Sequence, residues 1–593
     1  MGKITYLEQQ KILNDLNLTE YPSINISVLR NITIEPIETS LRFHSYGLGY
    51  DSKIQFGEYD NILQDAVGKN DNLLNANTDC VLIYNYLENL SWDLARNYAS
   101  LNSERESAEV ERISKNIRSI IHGVRNQTNA MILWHNFNMP LYPSLGIYDF
   151  QRRDGQYQTI RRINENVADF CQSVNDCFII DMDVLISRIG YRKFFDLRYW
   201  HIGKAPYSTE ALCEIANEDF KYIRSLKGKN KKCIVLDCDN TLWGGIVGED
   251  GMSGIKLGKT HPGSSYYEFQ QEVVNLYNRG IIITICSKNN DEDVWEIIRK
   301  HPNMLVKEHH ISSAQINWND KATNIKKIAT DLNIGLDSIV FIDDSEFEIE
   351  LVKKALPEVE VIHLPAGRTS EYRDILAGCG FFEALTISDE DKKRGKLYRE
   401  EAIRRDLQSK YDDINDFYKS LEMDVEITYA DEFSVPRIAQ LFQRTNQFNL
   451  TTKRYTETDV RKMLKENMTK VVYIKLSDKY GDYGIVGVCI VKLKDKDALI
   501  DSFLLSCRVI GRKVEGVFLS NILKMIRGNG YHIVIGEYCP TKKNKQVESF
   551  YVGFGFKEIV NDMNSQKKIY HFDISKISNC IDISVFNCIE SKI

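Results

Sequence analysis

Short apolar runs alternating with longer amphipathic stretches set the frame of this chain. Ile24–Leu29, Cys80–Tyr84, Ala130–Trp134 and Cys177–Ile180 are too short for buried helices and are bounded by polar or turn-forming residues, which predicts buried strands. Helical stretches lie between them, notably Ser103–Val124, charged on one face. Strands alternating with helices predict an α/β domain with a parallel sheet. It ends at the polar boundary Lys227-Gly228-Lys229-Asn230, giving a first domain over residues 1–226. The same pattern returns in residues 227–385. Strands are expected at Cys233–Leu236, Ile281–Ile285, Ser338–Ile342 and Val359–Leu364, and helices at Ser265–Arg279, Asp291–Lys300 and around Ile325, Ile328 and Leu332. Residues 386–423 read as a charged connecting helix with a solvated face. Beyond it the period changes. Val471–Leu476, Ile485–Leu493 and Ala498–Leu505 alternate as antiparallel strands, with Val425–Tyr429 and Ile533–Glu537 as further strands and Ser434–Arg444 and Arg512–Met525 as helices, so residues 424–575 form an α+β domain. Residues 576–593 read as a tail. The expectation is an α/β multidomain chain whose central domain is a doubly wound parallel sheet.

Composition narrows the function classes. The chain has 593 residues, 43% of them apolar and 27% charged, enough for several domains with their own cores. Its net charge of −7 gives no reason to expect a general nucleic-acid binder. No run approaches the roughly 18–20 apolar residues of a membrane span. Thirteen scattered cysteines without CxxC pairs, and no export signal after Met1, point to a reducing cytoplasm.

The candidate chemistry sits where the central strands end. Cys233–Leu236 runs into Asp237, Cys238, Asp239, Asn240 and Thr241, followed by Trp243, Gly244 and Gly245. The second strand ends in Cys286, Ser287, Lys288 and Asn289; Lys321 opens a helix; the third strand ends in Asp343 and Asp344. In an open α/β sheet these ends share one crevice. A carboxylate nucleophile, Asp237, can accept a phosphoryl group. Asp239 is placed as general acid and then base. Ser287 would hydrogen-bond a phosphoryl oxygen and Lys321 would offset its charge. Mg2+, which prefers oxygen ligands, is expected on Asp237, the Asp239 backbone carbonyl, and Asp343 or Asp344. Thr241, Trp243, Gly244, Gly245 and Asn289 are expected to line the substrate. Neither the Asp237–Ser287 interval nor the Ser287–Lys321 interval leaves room for a large cap, so the mouth should be open to a substrate on a large carrier.

Together these segments resemble the four motifs of the haloacid-dehalogenase (HAD) superfamily. The wording around Asp237–Gly245, Cys286–Asn290 and Phe341–Ser345 resembles its FkbH-like subgroup. That resemblance implies transfer of a glyceryl unit from 1,3-bisphosphoglycerate to the phosphopantetheine thiol of an acyl-carrier protein, with loss of phosphate, in polyketide or other secondary-metabolite assembly. It also implies that Cys238 could hold the acyl group as a thioester; a buried, inert Cys238 is the alternative. Leu29–Thr33, Gly57–Asp60 and Trp200–Ser208 resemble the SGNH-hydrolase-like region found upstream in such proteins. The place of its Gly-Asp-Ser nucleophile holds Arg30, Asn31, Ile32 and Thr33, so a docking or structural domain is expected, His201 notwithstanding. Residues 424–575 resemble a GNAT acyltransferase domain, most clearly at Phe550–Phe556. Its phosphate loop, Cys507–Lys513, keeps only Gly511, while Arg508, Arg512 and Lys513 could still bind phosphate, so Arg508 is a candidate substrate ligand. Two other readings stay open: a plain Mg-dependent phosphatase on a carrier-bound or sugar phosphate, and a GNAT-type acyltransferase with the HAD unit as scaffold.

Overall fold

Among the described residues, eighteen strands in three sheets carry the architecture. A computed structural model describes residues 4–16, 21–68, 72–387, 389–408, 411–494, 496–541, 543–562, 567–576 and 584–593. The chain divides into two compact units, Met1–Leu226 and Lys227–Ile593.

In the first unit, β1 (Ser23–Arg30), β2 (Asp51–Phe56), β3 (Cys80–Tyr84), β4 (Met131–His135) and β5 (Cys177–Ile180) form an all-parallel sheet in the order β2-β1-β3-β4-β5. The order is doubly wound, and many unrelated activities share it. The segment after β1 is structural. Asn31 accepts from the Tyr86 amide at 2.7 Å and donates to the Tyr86 carbonyl at 3.1 Å, and Thr33 Oγ1 donates to the Gly203 carbonyl at 2.6 Å. His201 lies exposed on the helix Leu197–Gly203.

The second unit holds the other two sheets. β6 (Cys233–Leu236), β7 (Ile282–Ser287), β8 (Ile311–Ile316), β9 (Ile339–Asp343) and β10 (Glu360–His363) are all parallel in the order β10-β9-β6-β7-β8. The direction of winding reverses between β6 and β9, so their carboxyl ends flank the topological switch point. Every residue of β6, β7 and β9 is buried, as helices on both faces of a parallel sheet require. β11 (Met423–Tyr429), β12 (Thr469–Asp478), β13 (Gly481–Lys494), β14 (Asp497–Leu505), β15 (Ile533–Tyr538), β16 (Lys557–Asp562), β17 (Lys567–Asp573) and β18 (Phe586–Ser591) form a mixed sheet in the order β16-β17-β15-β14-β13-β12-β11-β18.

Three features depart from the sequence reading. Part of the expected tail is β18, paired in parallel with β11. The helix Arg394–Gln408 keeps Lys396 and Arg399 exposed, as a solvated face requires, but it also has a buried face with Leu397, Tyr398 and Arg404. Its charges are paired inside, with Arg404 Nη2 on Asp478 at 2.7 Å and the fully buried Asp391 held by Arg394, Arg444 and Gln440. Gly280 makes the close approach possible, since a Cβ there would meet the Asp391 carbonyl oxygen at 2.1 Å. The third feature lies in the mixed sheet. β14 and β15 pair only over Asp497–Ile500 and Ile533–Gly536 and then diverge. The chain's own Phe448–Leu450 enters the gap. Leu450 N–H donates to the Phe503 carbonyl at 3.1 Å, Leu505 N–H to Phe448 at 3.0 Å, and Cys539 N–H to Leu450 at 2.8 Å.

Candidate active site

β6 delivers Asp237 to the crevice, and the ladder holds it there, for its own N–H donates to the Ile342 carbonyl at 3.1 Å. β9 delivers Asp343 and Asp344 beside it. One oxygen from each of Asp237, Asp343 and Asp344 lies within 4.8 Å of the others. Lys321, in the first turn of the helix Lys321–Leu332, reaches in from the next element. Its Nζ donates to Asp237 Oδ1 at 2.7 Å and to Asp343 Oδ2 at 2.5 Å, and its side chain is 5% exposed. The Asp320 carboxylate caps this helix by accepting from Thr323 N–H at 2.8 Å, which fixes where Lys321 starts. Asp343 also accepts from Ser345 N–H at 2.9 Å.

Three carboxyl groups face one ammonium, so the cluster is short of positive charge. Burial first, and Asp237 second, raise Asp344 to about 6, and the same causes push Asp343 upward against the pull of Lys321. The two carboxylates hold Lys321 well above its ordinary value despite its burial. Hard oxygen donors in excess of the available cation are a donor set that fits magnesium.

Asp239 is turned away from that cluster. Its Oδ1 accepts from Trp243 Nε1 at 2.9 Å and Val247 N–H at 3.1 Å, and its Oδ2 from Asn289 Nδ2 at 3.0 Å. Its side chain is therefore not with the metal-type carboxylates, although the sequence reading claimed only its backbone carbonyl. Burial raises its pKa, which favours a proton-bearing carboxyl. Asn289 also donates to Ser287 Oγ at 3.0 Å, so one amide positions both the candidate acid and the candidate phosphate donor.

The expected substrate-lining residues are mostly structural. Thr241 and Trp243 are fully buried, and Thr241 Oγ1 finds no hydrogen-bond partner among the described residues. A Cβ on Gly244 would meet the Tyr266 ring at 2.7 Å. Gly245 N–H donates to Asn240 Oδ1 at 2.9 Å, and Asn240 itself is left-handed at φ 53°. Asn240 was missed as a positioning residue, though an Asn beside two acids is a turn signal. Gln270 was missed with no signal at all. Fully buried on the helix Ser264–Asn278, it donates to the Leu242 carbonyl at 2.7 Å and accepts from Leu305 N–H at 2.8 Å.

Cys238 is fully buried among Leu236, Leu242 and Trp243. Burial, then Asp237, push its thiol well above the usual range. A neutral, inaccessible thiol does not attack a carbonyl, and the acyl-carrying expectation loses its support. Cys286 is equally buried, and burial raises it to about 12. Cys238→Ser should cost about 1–3 kcal/mol of stability by burying a hydroxyl, yet leave phosphate release within a few-fold of normal. Phosphate-release kinetics on the refolded variant check this.

Arg508 does not join the site. It lines a cavity with Lys232 and Ser338, at the amino ends of β6 and β9, whereas Asp237 and Asp343 are at their carboxyl ends.

Comparison with known proteins finds similarity in both units. The family described as FkbH, N-terminal domain, matches residues 25–223, and the NLI interacting factor-like phosphatase family matches residues 232–360. The N-terminal part of the protein BF1531 from Bacteroides fragilis, which contains a phosphatase domain and is complexed with Mg, is 26% identical over 64% of this chain and 99% of its own, with a TM-score of 0.58. The ribosomal-protein-S18-alanine N-acetyltransferase of Escherichia coli is 12% identical over 27% of this chain and 99% of its own, at a TM-score of 0.21, too weak to bear on the mixed sheet. No curated protein matches the chain. Residues 25–223 are thus similar to an FkbH N-terminal domain, and residues 232–360 to a HAD-like phosphatase domain.

Proposed function

We propose that the second unit cleaves a phosphate ester at Asp237, and that its substrate is a three-carbon acyl group derived from 1,3-bisphosphoglycerate and bound for an acyl-carrier protein. The observation that supports the phosphoryl step is Lys321 bridging Asp237 and Asp343, with Asp344 beside them. Asp237 Oδ attacks phosphorus, and the bond to the ester oxygen breaks as Asp239 protonates that oxygen. Water then attacks the aspartyl-phosphate while Asp239 takes its proton, and inorganic phosphate leaves. Lys321 and Ser287 hold phosphoryl oxygens. Asp237, Asp343, Asp344 and the Asp239 carbonyl would hold magnesium, which when bound supplies positive charge against the phosphoryl group.

The finer reading takes support from the FkbH-type N-terminal domain. There the carrier's pantetheine thiol attacks the acyl-phosphate carbonyl and expels the first phosphate, and Asp237 removes the second. The buried Cys238 favours direct transfer to the carrier over a relay through the protein, and it equally suits the simpler reading, a phosphatase without transfer. Intact mass spectrometry after mixing the protein with 1,3-bisphosphoglycerate, magnesium and a phosphopantetheinylated carrier separates the two. A glyceryl adduct on the carrier is the expected result; phosphate release with no adduct overturns the transfer.

Magnesium should also stabilise the fold in a pH-dependent way. Carboxyls raised in the folded chain bind more protons there than when unfolded, so without metal their contribution to stability falls as pH rises from about 4 to about 6. Magnesium needs the deprotonated groups, so its effect on the melting temperature should grow over the same interval and beyond. Thermal melts with magnesium or EDTA at pH 5 and pH 8 should show a larger magnesium shift at pH 8.

A further inference from the structure

A cavity of about 420 Å³ lies within the second unit, between the amino ends of β6 and β9 and the mixed sheet. That is inside the roughly 300–1,000 Å³ range of small-molecule sites. Its wall carries Lys232, Arg394, Arg437, Arg444, Arg508 and Lys543, against Asp337 and Glu358. Some of this charge is spent. Arg394 and Arg444 hold Asp391 behind the wall, Lys543 pairs with Asp337, and Lys232 Nζ donates to the Arg444 carbonyl at 2.6 Å. Arg508 is different. It is 9% exposed, its Nε donates to Ser506 Oγ at 3.3 Å, and its guanidinium lies 6.0 Å from the Tyr483 ring centre. No carboxylate pairs with it among the described residues. A guanidinium this buried usually faces an anion, and its planar fork matches phosphate oxygens in pairs. Ser506, Thr445 and Asn446 add neutral hydrogen-bonding groups to the same wall.

We propose that this cavity binds a phosphate-bearing small molecule, with Arg508 as its central ligand, at a site separate from Asp237. The excess of cations over acids in the wall selects an anion. The same volume admits a free metabolite phosphate or the phosphate end of a pantetheine arm, which share that chemistry. The inference does not depend on the phosphatase reading, because none of its residues belongs to the carboxylate cluster.

Cys507 places a reporter in the wall. Its thiol lies 3.3 Å from the Tyr398 hydroxyl and lines the cavity. The test uses the full chain in EDTA with inorganic phosphate and with pyrophosphate, read by calorimetry and by the rate of Cys507 alkylation. Saturable binding at millimolar or tighter affinity is expected, with alkylation slowed by the bound anion. Arg508→Gln should weaken binding about tenfold or more, and Lys543→Gln, at the half-exposed rim, should weaken it about threefold. Should Arg508→Gln fail to fold, the Lys543 variant and Cys507 protection carry the test alone. No saturable binding overturns the proposal. So does binding that survives Arg508→Gln but is lost in Lys321→Gln, which puts the anion at the catalytic cluster, or binding that leaves Cys507 alkylation unchanged. Comparing free phosphate with phosphopantetheine then identifies the source: tighter binding of the latter assigns the site to a carrier's arm, and equal binding to a free metabolite.

Discussion

Asp237→Asn should abolish phosphate release, by about four to six orders of magnitude, while the protein stays as stable as the parent or gains slightly. Activity falls because the amide cannot form the phosphoenzyme. Stability holds because Asp237 is a source of repulsion: it raises both Asp343 and Asp344. Removing its charge leaves Lys321 shared between fewer carboxylates, and Asp343 keeps its contact with Nζ. Phosphate-release kinetics paired with thermal melts of the same preparation check both halves. Full activity in the variant would end the assignment of the nucleophile. A large drop in melting temperature would mean that Asp237 holds the fold rather than reacts.

Lys321→Met should do the opposite. The methionine keeps most of the volume of the stem but leaves two buried carboxylates without their cation. Breaking a buried pair in this way typically costs about 3–5 kcal/mol. The metal-free variant should therefore melt far below the parent. Magnesium, a replacement cation for the same oxygens, should restore more of the melting temperature in the variant than it adds to the parent. Phosphate release should stay low even with magnesium, because the charge that Lys321 brings to the phosphoryl oxygens is gone. Equal magnesium shifts in parent and variant would show that the cluster does not take the ion.

What the sequence made legible follows from burial. The strands that end in chemistry are, Thr284 apart, apolar up to their ends, so the run from Cys233 to Leu236 announces both a strand and its end. Asp237, Ser287 and Asp343 could be brought together on paper because each stands at such an end, and Lys321 joined them from a helix start. The edge strands β5 and β10 were legible, but the opposite edges were not. β2 reads Asp-Ser-Lys-Ile-Gln-Phe and β8 reads Ile-Ser-Ser-Ala-Gln-Ile, half-polar segments that owe their conformation to a neighbouring strand. β18 was hidden for the same reason. The face taken by Cys238 could not be read, since alternation along a strand fails where the chain turns, and the carbonyl of Cys238 accepts from Leu242 N–H at 2.8 Å in that turn. The place of Arg508 relative to the carboxylates could not be read, because a loop rich in cations says that it meets an anion without saying at which end of a sheet. The charged helix Arg394–Gln408 was legible only on its exposed side: its Arg394, Arg404 and Glu401 are matched by Asp391, Asp478 and Arg512, residues scattered along the second unit.

The segment Phe448–Leu450 has a consequence for the mixed sheet. Where two parallel strands part, their free amides and carbonyls offer a ready rail for an extended guest. Here the rail is taken: Phe503, Leu505 and Cys539 are bonded to the protein's own backbone, and Asn544 Nδ2 clamps the Asn449 carbonyl at 2.9 Å. A thin, extended molecule seeking that slit would have to compete with a tethered strand present at a very high effective concentration. The protein behaves there as a lock closed with its own key still in it, and visitors to this part of the molecule are left with the cationic chamber next door.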